Sequence, residues 1–369
     1  MTTQLATTPL HSWHASHGAR LVDFAGWSMP VQYRSIIDEH TATRSAVGMF
    51  DVSHMGRLRF SGADAADFLD YMVTRRVADL RPGQIRYGLV TNDQAGILDD
   101  VLVYRLADAD GAEYQMVVNA SNREKILDWL NQHAGDYDVR IDDATLETAM
   151  IAVQGPQAIS LVQPLVDCEL AGMKYYRCGS ANLAGHQALV SRTGYTGEDG
   201  CELIVPSEDA EAVWEVVLGA GHSVGAQPAG LGCRDTLRLE AAMPLYGHEL
   251  SEVINPVQAG LAFAYNLEDR NFIGRDAIAR FEKDASLPRR IGLSLSGKRV
   301  PREGCPIEID GRRVGEVTSG TFSPTLSRPI AMGYVEPDHA AEGTKLAIDI
   351  RGRREPAEVV SLPFYKRPH

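Results

Sequence analysis

The chain has 369 residues, 44% of them apolar, and a formal charge of −13. That length and apolar content suit two or three domains with packed cores and exclude a disordered polymer. The acidic balance argues against a general nucleic-acid binder, and no apolar run approaches the roughly 20 residues that a membrane helix needs.

Met1 to Leu10 has neither a basic start followed by an apolar core nor the Arg-rich character of a transit peptide, so a cytoplasmic, unprocessed chain is expected. The five cysteines, Cys168, Cys178, Cys201, Cys233 and Cys305, form no C-x-x-C pair, which fits reduced thiols and gives zinc no ligand pattern. Charge is uneven. Residues 288–369 hold 14 Lys and Arg against 10 Asp and Glu, an excess of 4, so the rest of the chain carries −17. A basic terminal segment on an acidic body suits an anionic ligand or an acidic partner, and equally an unevenly charged solvated surface.

In chain order, His11, His14 and His17 are spaced by three but bracketed by Pro9 and Gly18, and read as a solvated turn rather than a metal site. Ser35 to Val47 is predicted to be a helix, capped by Ser35 and closed by Gly48. Ile36, Ile37, His40, Thr41, Arg44 and Val47 share its broad face. A pattern then occurs twice. Leu58 to Gly62 and Ile151 to Gly155 each read as a short strand ending at glycine, with helices following through Met72 and Val166. Each copy continues with two strands across an acid-containing glycine turn and another helix. The first runs over Tyr87–Tyr104, Tyr114–Asn119 and Ser121–Leu130; the second over Ala188–Val205 and Ser207–Leu218. The reading is a weak internal duplication within an α+β body.

Leu287-Pro288 reads as a linker. Beyond it, Ile291–Leu295, Pro306–Ile309, Arg313–Val317, Ile330–Val335, Lys345–Ile350 and Ala357–Val360 are short β-rich runs separated by Pro and Gly. They predict a small antiparallel barrel or sandwich.

Nucleotide-binding loops and the G-x-S-x-G elbow are absent. Asp51, Ser53 and His54 have triad residue types, but near neighbours in sequence rarely aim at one another. Three segments stand out. In Gly96–Tyr104, strand parity puts Asp100, Leu102 and Tyr104 on one face, with Asp99 turned to solvent or capping the turn. An inward carboxylate is costly unless paired or used, although two acids closing a hairpin fit the segment as well. In Ser191–Leu203, clustered glycines permit close backbone approach to a flat ligand, Tyr195 can stack on a ring, and Glu202 can accept two hydrogen bonds. A glycine-rich hairpin with a partly exposed acid is the plainer reading. In Pro228–Glu240, Gly232 precedes a helix, and Arg234 sits at its uncomfortable positive end. Arg238 and Glu240 read as ordinary solvated helix charges.

The wording of several segments resembles the glycine cleavage T-protein family: Val22–Pro30, Gly48–Met55, Ser191–Gly200, Cys233–Glu240, Leu245–Gly247 and Thr318–Leu326, in family order. The resemblance implies a three-domain cloverleaf with two interleaved α+β domains in residues 1–285 and a C-terminal antiparallel barrel-like domain in 288–369. It implies tetrahydrofolate in a central channel, as co-substrate, and no metal. It also implies the reaction: a lipoylated carrier, the H-protein, presents an aminomethyl group, the methylene passes to tetrahydrofolate, and ammonia leaves. No nucleic acid or membrane partner is implied.

Residue by residue, Asp100 matches the family's essential carboxylate, implied to orient and activate the folate nitrogens. Glu202 matches the carboxylate that binds the pterin edge, Tyr195 a ring contact and Arg234 a second polar anchor. Met55, Tyr87, Tyr104 and Asn119 match other channel positions, and Tyr365-Lys-Arg367 a neighbour of the folate glutamate tail. Phe263 departs from a Trp common in the family and keeps an aromatic surface. The alternative is another folate-dependent demethylase on the same fold. A flavin-linked relative would need an N-terminal dinucleotide domain, and the folate-binding relatives of iron–sulfur assembly carry a K-G-C motif with no counterpart here.

Overall fold

The computed structural model describes residues 4–107 and 113–368. The chain divides into two compact units, Met1–Gly88 with Asp100–Arg234, and Leu89–Asp99 with Asp235–His369. Its elements are mixed α/β and end in a closed six-stranded barrel.

The first unit begins with α1 (His11–Ser16), the hairpin of β1 (Arg20–Phe24) and β2 (Trp27–Gln32), and α2 (Ile36–Ser45). The histidine segment is helical, not a solvated turn. His14 is fully buried, and its Nε2 lies 2.9 Å from Asp51 Oδ2 while Nδ1 meets the Tyr33 hydroxyl at 2.8 Å. Ser35 caps α2 as expected, its side chain accepting from Asp38 N at 3.1 Å. The buried face is only partly the predicted one: His40 and Val47 are buried, but Thr41 is exposed. Glu39, His40, Ala42 and Thr43 face inward and Ile37 is exposed, because Glu39 accepts the backbone N–H groups of Tyr33, Arg34 and Gly230. Satisfying those buried donors outweighs covering Ile37. The helix also stops at Ala46, and Gly48 opens the next strand, where a Cβ would lie 2.1 Å from Thr43 Oγ1.

The duplicated pattern is plain in the sheets. After β3 (Gly48–Asp51), the first copy runs β4 (Gly56–Ser61), α3 (Ala65–Met72), β5 (Ile85–Thr91), β6 (Ile97–Arg105), β7 (Tyr114–Val118) and α4 (Arg123–His133), then β8 (Arg140–Asp143). The second runs β9 (Thr148–Gln154), α5 (Ala158–Val162), β10 (Cys178–Leu183), β11 (His186–Ser191), β12 (Gly200–Pro206) and α6 (Ala210–Gly221). The sheet orders are β5-β6-β7-β4-β8 and β10-β11-β12-β9-β3-β13, with β13 the short Gln227–Pro228 bridge. Each copy therefore places its first strand beside its last, with the hairpin outside. Strand β10, absent from the predicted elements, pairs with β11 and completes the second copy.

Burial follows sequence period. Ala65, Phe68, Leu69 and Met72 of α3 recur at helical spacing and are buried. All seven residues of β9 are buried, as a central strand covered on both faces requires. Val153, Leu203 and Val205 pack with Val213, Trp214 and Val217 of α6 in one core.

Helix α7 (Leu231–Glu240) runs across the division between the units, and α8 (Arg275–Phe281) lies in the second. The second unit closes a barrel from β14 (Arg289–Leu295), β15 (Pro306–Ile309), β16 (Arg312–Ser323), β17 (Arg328–Val335), β18 (Lys345–Asp349) and β19 (Arg354–Val360), in the order β14-β17-β16-β15-β18-β19. All six β-rich runs after Leu287-Pro288 are strands. Ile291, Leu293 and Leu295 point into its core at the strand period of two. No helix among the described residues is long and apolar enough to cross a membrane.

Candidate active site

Asp100 sits on β6, between the strands that carry its partners. Its Oδ1 accepts from Asn119 Nδ2 at 2.8 Å, at the end of β7, and its Oδ2 accepts from the Tyr87 hydroxyl on β5 at 3.2 Å. Burial pushes the carboxyl up to about 6, against the opposing pull of the Asn119 and Tyr87 hydrogen bonds. Burial, with Asp100 opposite, raises the Tyr87 phenol well above its usual range, so it remains a donor at neutral pH. Parity correctly puts Asp100 and Tyr104 on a common face, but Asp99 does not reach solvent: it is fully buried. Both faces of β6 are covered at this point, and alternation alone carries no information about the second layer.

A second cluster lies on the other sheet. Glu202 of β12 is 5% exposed and pairs across the hairpin with Ser191. Its Oε2 accepts from the Thr193 hydroxyl, which meets the Ser191 hydroxyl at 2.8 Å. The buried Tyr104 phenol lies against Ser191, Thr193 and Glu202. Burial raises the Glu202 pKa, and Thr193 and Arg234 oppose it. The Arg234 guanidinium stands 4.7 Å over the Tyr195 ring, near Glu202. Burial lowers its pKa, and Glu202 pulls the other way. Its Nη1 is enclosed and has no hydrogen-bond partner among the described residues. An enclosed, unused guanidinium donor is costly unless something else accepts from it.

Tyr87 and Tyr176 connect the clusters. Tyr87 lies within electrostatic reach of Tyr195, and Tyr176 of both Asp100 and Glu202. Tyr176 has φ of 59°, an unfavourable region for a bulky side chain, and is fixed there by hydrogen bonds to Arg192 O and from Ile85 N. Met55 stands apart. Its carbonyl accepts from Arg57 Nη1 at 2.6 Å, and the fully buried Arg57 also donates to Ser53 O, Thr148 O and Thr148 Oγ1.

Asp51, Ser53 and His54 form no triad. Asp51 pairs with His14, Ser53 donates to Met150 O, and His54 Nδ1 has no partner among the described residues. Burial pushes His54 down to about 3 and keeps it neutral. Arg238 and Glu240 are buried, contrary to the sequence reading. Arg238 Nη1 binds Glu249 at 2.7 Å, and Glu240 accepts from Ser323 and Thr325. Phe263 belongs to the second unit and is 59% exposed; there too the Tyr365 N–H donates to Glu240 O. Sequence reasoning does not reach Thr193 or Tyr176. The cross-hairpin parity that pairs Ser191 with Glu202 would have flagged Thr193 nearby, whereas nothing in the sequence marks Tyr176. No group of three or more His, Cys, Asp and Glu among the described residues is placed to hold a metal ion.

A shielded carboxylate held by an amide and a phenol, beside an acid, a tyrosine and a guanidinium with an unused donor, makes a candidate enzyme site on a mixed α/β fold. Residues 10–269 match the GCVT N-terminal domain, and residues 289–366 match the glycine cleavage T-protein C-terminal barrel domain. The chain is 47% identical to the aminomethyltransferase of Streptomyces coelicolor, over 99% of both chains. It is 44% identical to that of Symbiobacterium thermophilum over the whole of each. The crystal structure of glycine cleavage system aminomethyltransferase T from Bartonella henselae superposes with a TM-score of 0.91, at 34% identity, covering 98% of this chain and 99% of that one. The chain belongs to the glycine cleavage T-protein family, whose activity is folate-dependent aminomethyl transfer.

Proposed function

We propose that this aminomethyltransferase takes the methylene of an aminomethyl group carried on the lipoyl arm of the H-protein and passes it to tetrahydrofolate. The carbon–sulfur and carbon–nitrogen bonds of the aminomethyl group break, and bonds from the methylene to folate N5 and N10 form. The two folate N–H protons leave with the thiol and with ammonia, and 5,10-methylenetetrahydrofolate is the product. A cytoplasmic location and a reaction without a metal belong to the same reading.

The observation that carries it is Asp100. A carboxylate enclosed beside Asn119 and Tyr87 keeps one orientation, and the shift to about 6 leaves it ionised yet basic at neutral pH. Its role is to hold a folate N–H and accept its proton as the methylene is attacked. Folate N5 and N10 are weak bases, so placement contributes more than acid–base strength. Arg234 Nη1, enclosed without an acceptor, fits a ring carbonyl or ring nitrogen, and Glu202 fits the amidine-like N–H edge of a pterin. Tyr195 offers a ring face and Tyr87, Tyr104 and Asn119 line the rest, whereas Met55 is a channel position on the family resemblance alone.

The test is ammonia release from aminomethylated carrier, with and without tetrahydrofolate, using wild type and Asp100→Asn. Folate-dependent release that disappears in the variant supports the reading. Folate binding without release by wild type moves the activity to a demethylase with another donor.

A further inference from the structure

The segment that carries Tyr195 and Glu202 is held by one buried amide. Gln154, the last residue of β9, is fully buried. Its Nε2 lies 3.1 Å from Thr193 O, 3.3 Å from Cys201 O and 3.3 Å from Val153 O, sharing two N–H groups among three carbonyls. Its Oε1 accepts from the Thr196 hydroxyl at 3.0 Å, and Thr196 Oγ1 in turn accepts from Glu198 N at 3.2 Å. One side chain therefore touches the segment before Tyr195, just after it, and where it rejoins the sheet. Arg44 Nη1 also donates to Thr196 O at 2.8 Å and to Glu198 Oε1 at 2.9 Å.

Gly194 is cut to the same side chain. A Cβ on Gly194 would lie 2.0 Å from Gln154 Oε1, while one on Gly200 would meet the Val153 carbonyl oxygen first, at 2.4 Å, and Gln154 Nε2 at 2.7 Å. Gly194 is outside the left-handed region, so the amide and not the backbone requires glycine there. Residues 192–199, between Ser191 at the end of β11 and Gly200 at the start of β12, have no strand partner, so their backbone polar groups must be met by side chains such as Gln154.

We propose that Gln154 is the positioning residue of the folate-facing segment, setting the placement of Tyr195 and Glu202 through the Thr193 and Cys201 carbonyls and the Thr196 hydroxyl. The assignment rests on the folate reading above. It makes no demand on Asp100, so loss of Gln154 separates binding from the chemical step.

The experiment compares wild type, Gln154→Ala, the volume-keeping Gln154→Met, Gly194→Ala and the Gln154→Ala/Gly194→Ala double variant. Tetrahydrofolate affinity is measured by titration, kcat at saturating folate, and amide hydrogen exchange over residues 194–200 in the ligand-free chain. Gln154→Met and Gln154→Ala are expected to weaken folate binding at least tenfold, keep kcat within about threefold, and speed exchange in that segment. Gly194→Ala should do the same, and the double variant should be no worse than Gln154→Ala alone, because the methyl then enters vacated space. Unchanged affinity and exchange in Gln154→Met, or fully multiplicative losses in the double variant, overturn the assignment. Absence of folate binding by wild type, with faster exchange in the Gln154 variants, sinks the folate reading and leaves the positioning role standing.

Discussion

Asn119 donates to Asp100 Oδ1 at 2.8 Å from the end of β7, and the same amide nitrogen lies 3.3 Å from the Asp100 carbonyl oxygen. The side chain thus fixes both the carboxylate and the backbone that carries it. Asp100→Asn preserves volume and keeps an oxygen for Asn119, but it removes the charge and the proton acceptor. The variant is expected to fold, to bind folate and to lose kcat by roughly 10²–10⁴-fold. Single-turnover kinetics with preformed aminomethyl carrier checks this, and near-normal turnover would remove the assigned role.

The raised Asp100 pKa has a pH signature. With the carboxylate as the working form, kcat/KM should fall as pH drops through about 6, and this limb should be missing from the residual activity of Asp100→Asn. For stability the sign is opposite to that of a salt-bridged acid. Between the unfolded value, about 4, and about 6, the folded chain binds a proton that the unfolded chain has released. The associated stability is complete below the lower value and is lost as pH rises through about 6. Asp100→Asn should therefore raise stability at pH 7.5 by on the order of 1–3 kcal/mol, with a higher melting temperature, and have little effect at pH 4. Thermal melts at both pH values decide the matter.

Glu202 tests the binding half of the site. Its Oε2 is engaged by Thr193, and its burial is tolerable because that hydroxyl and Arg234 stand by it. Glu202→Ala should weaken tetrahydrofolate binding by roughly 1–3 kcal/mol, the cost of one buried polar contact. Titration calorimetry that returned the wild-type affinity would count against a folate contact.

How far the sequence revealed this depended on the kind of signal. The barrel was legible because its strands are short, alternate apolar and polar residues, and are separated by Pro and Gly; Ile291, Leu293 and Leu295 do point inward. The repeat was legible as a strand–glycine–helix phrase, although β10, Cys-Gly-Ser-Ala-Asn-Leu, has too weak a β pattern to predict. Asp100, Glu202, Arg234 and Tyr195 were singled out locally, but their grouping is a product of two sheets that no local period encodes. The buried polar residues were the blind spot. His14, Glu39, Arg238 and Glu240 look solvated in sequence, and each is buried by partners such as Asp51, Gly230, Ser319 and Thr325 that lie far away along the chain.

The Asp51 cluster offers a stability test away from the chemistry. Asp51 is 3% exposed and accepts from Thr8 Oγ1 at 2.6 Å and Ser53 N at 2.9 Å, with His14 at 2.9 Å. Burial alone would raise its pKa, but the combined pull of His14, Ser53 and Thr8 holds it down to about 2. A depressed carboxylate contributes stability above its unfolded value, about 4, and loses it as pH falls through about 2. Asp51→Ala removes one partner of a buried pair and strands the others, which is expected to cost about 3–5 kcal/mol. Urea unfolding at pH 7 checks the magnitude, and a loss below about 1 kcal/mol would mean that the cluster relaxes or hydrates.

The basic tail supplies the remaining prediction. Arg351 and Arg353 lie exposed on the turn between β18 and β19, whereas neighbouring Arg354 places Nε 2.8 Å from Glu308 Oε2. If this turn meets an acidic face on the lipoyl carrier proposed above, Arg351 and Arg353 should contribute more than Arg354, whose charge is already offset by Glu308. Charge reversal at all three should raise the KM for the carrier and flatten or invert the fall of its association rate with salt, while free-folate affinity stays unchanged. The single reversals should rank with Arg351 and Arg353 above Arg354. Initial rates at several salt concentrations, paired with folate titrations, separate the cases: equal effects on carrier and folate would mean that the turn acts on the fold, and no effect on the carrier would place the docking face elsewhere.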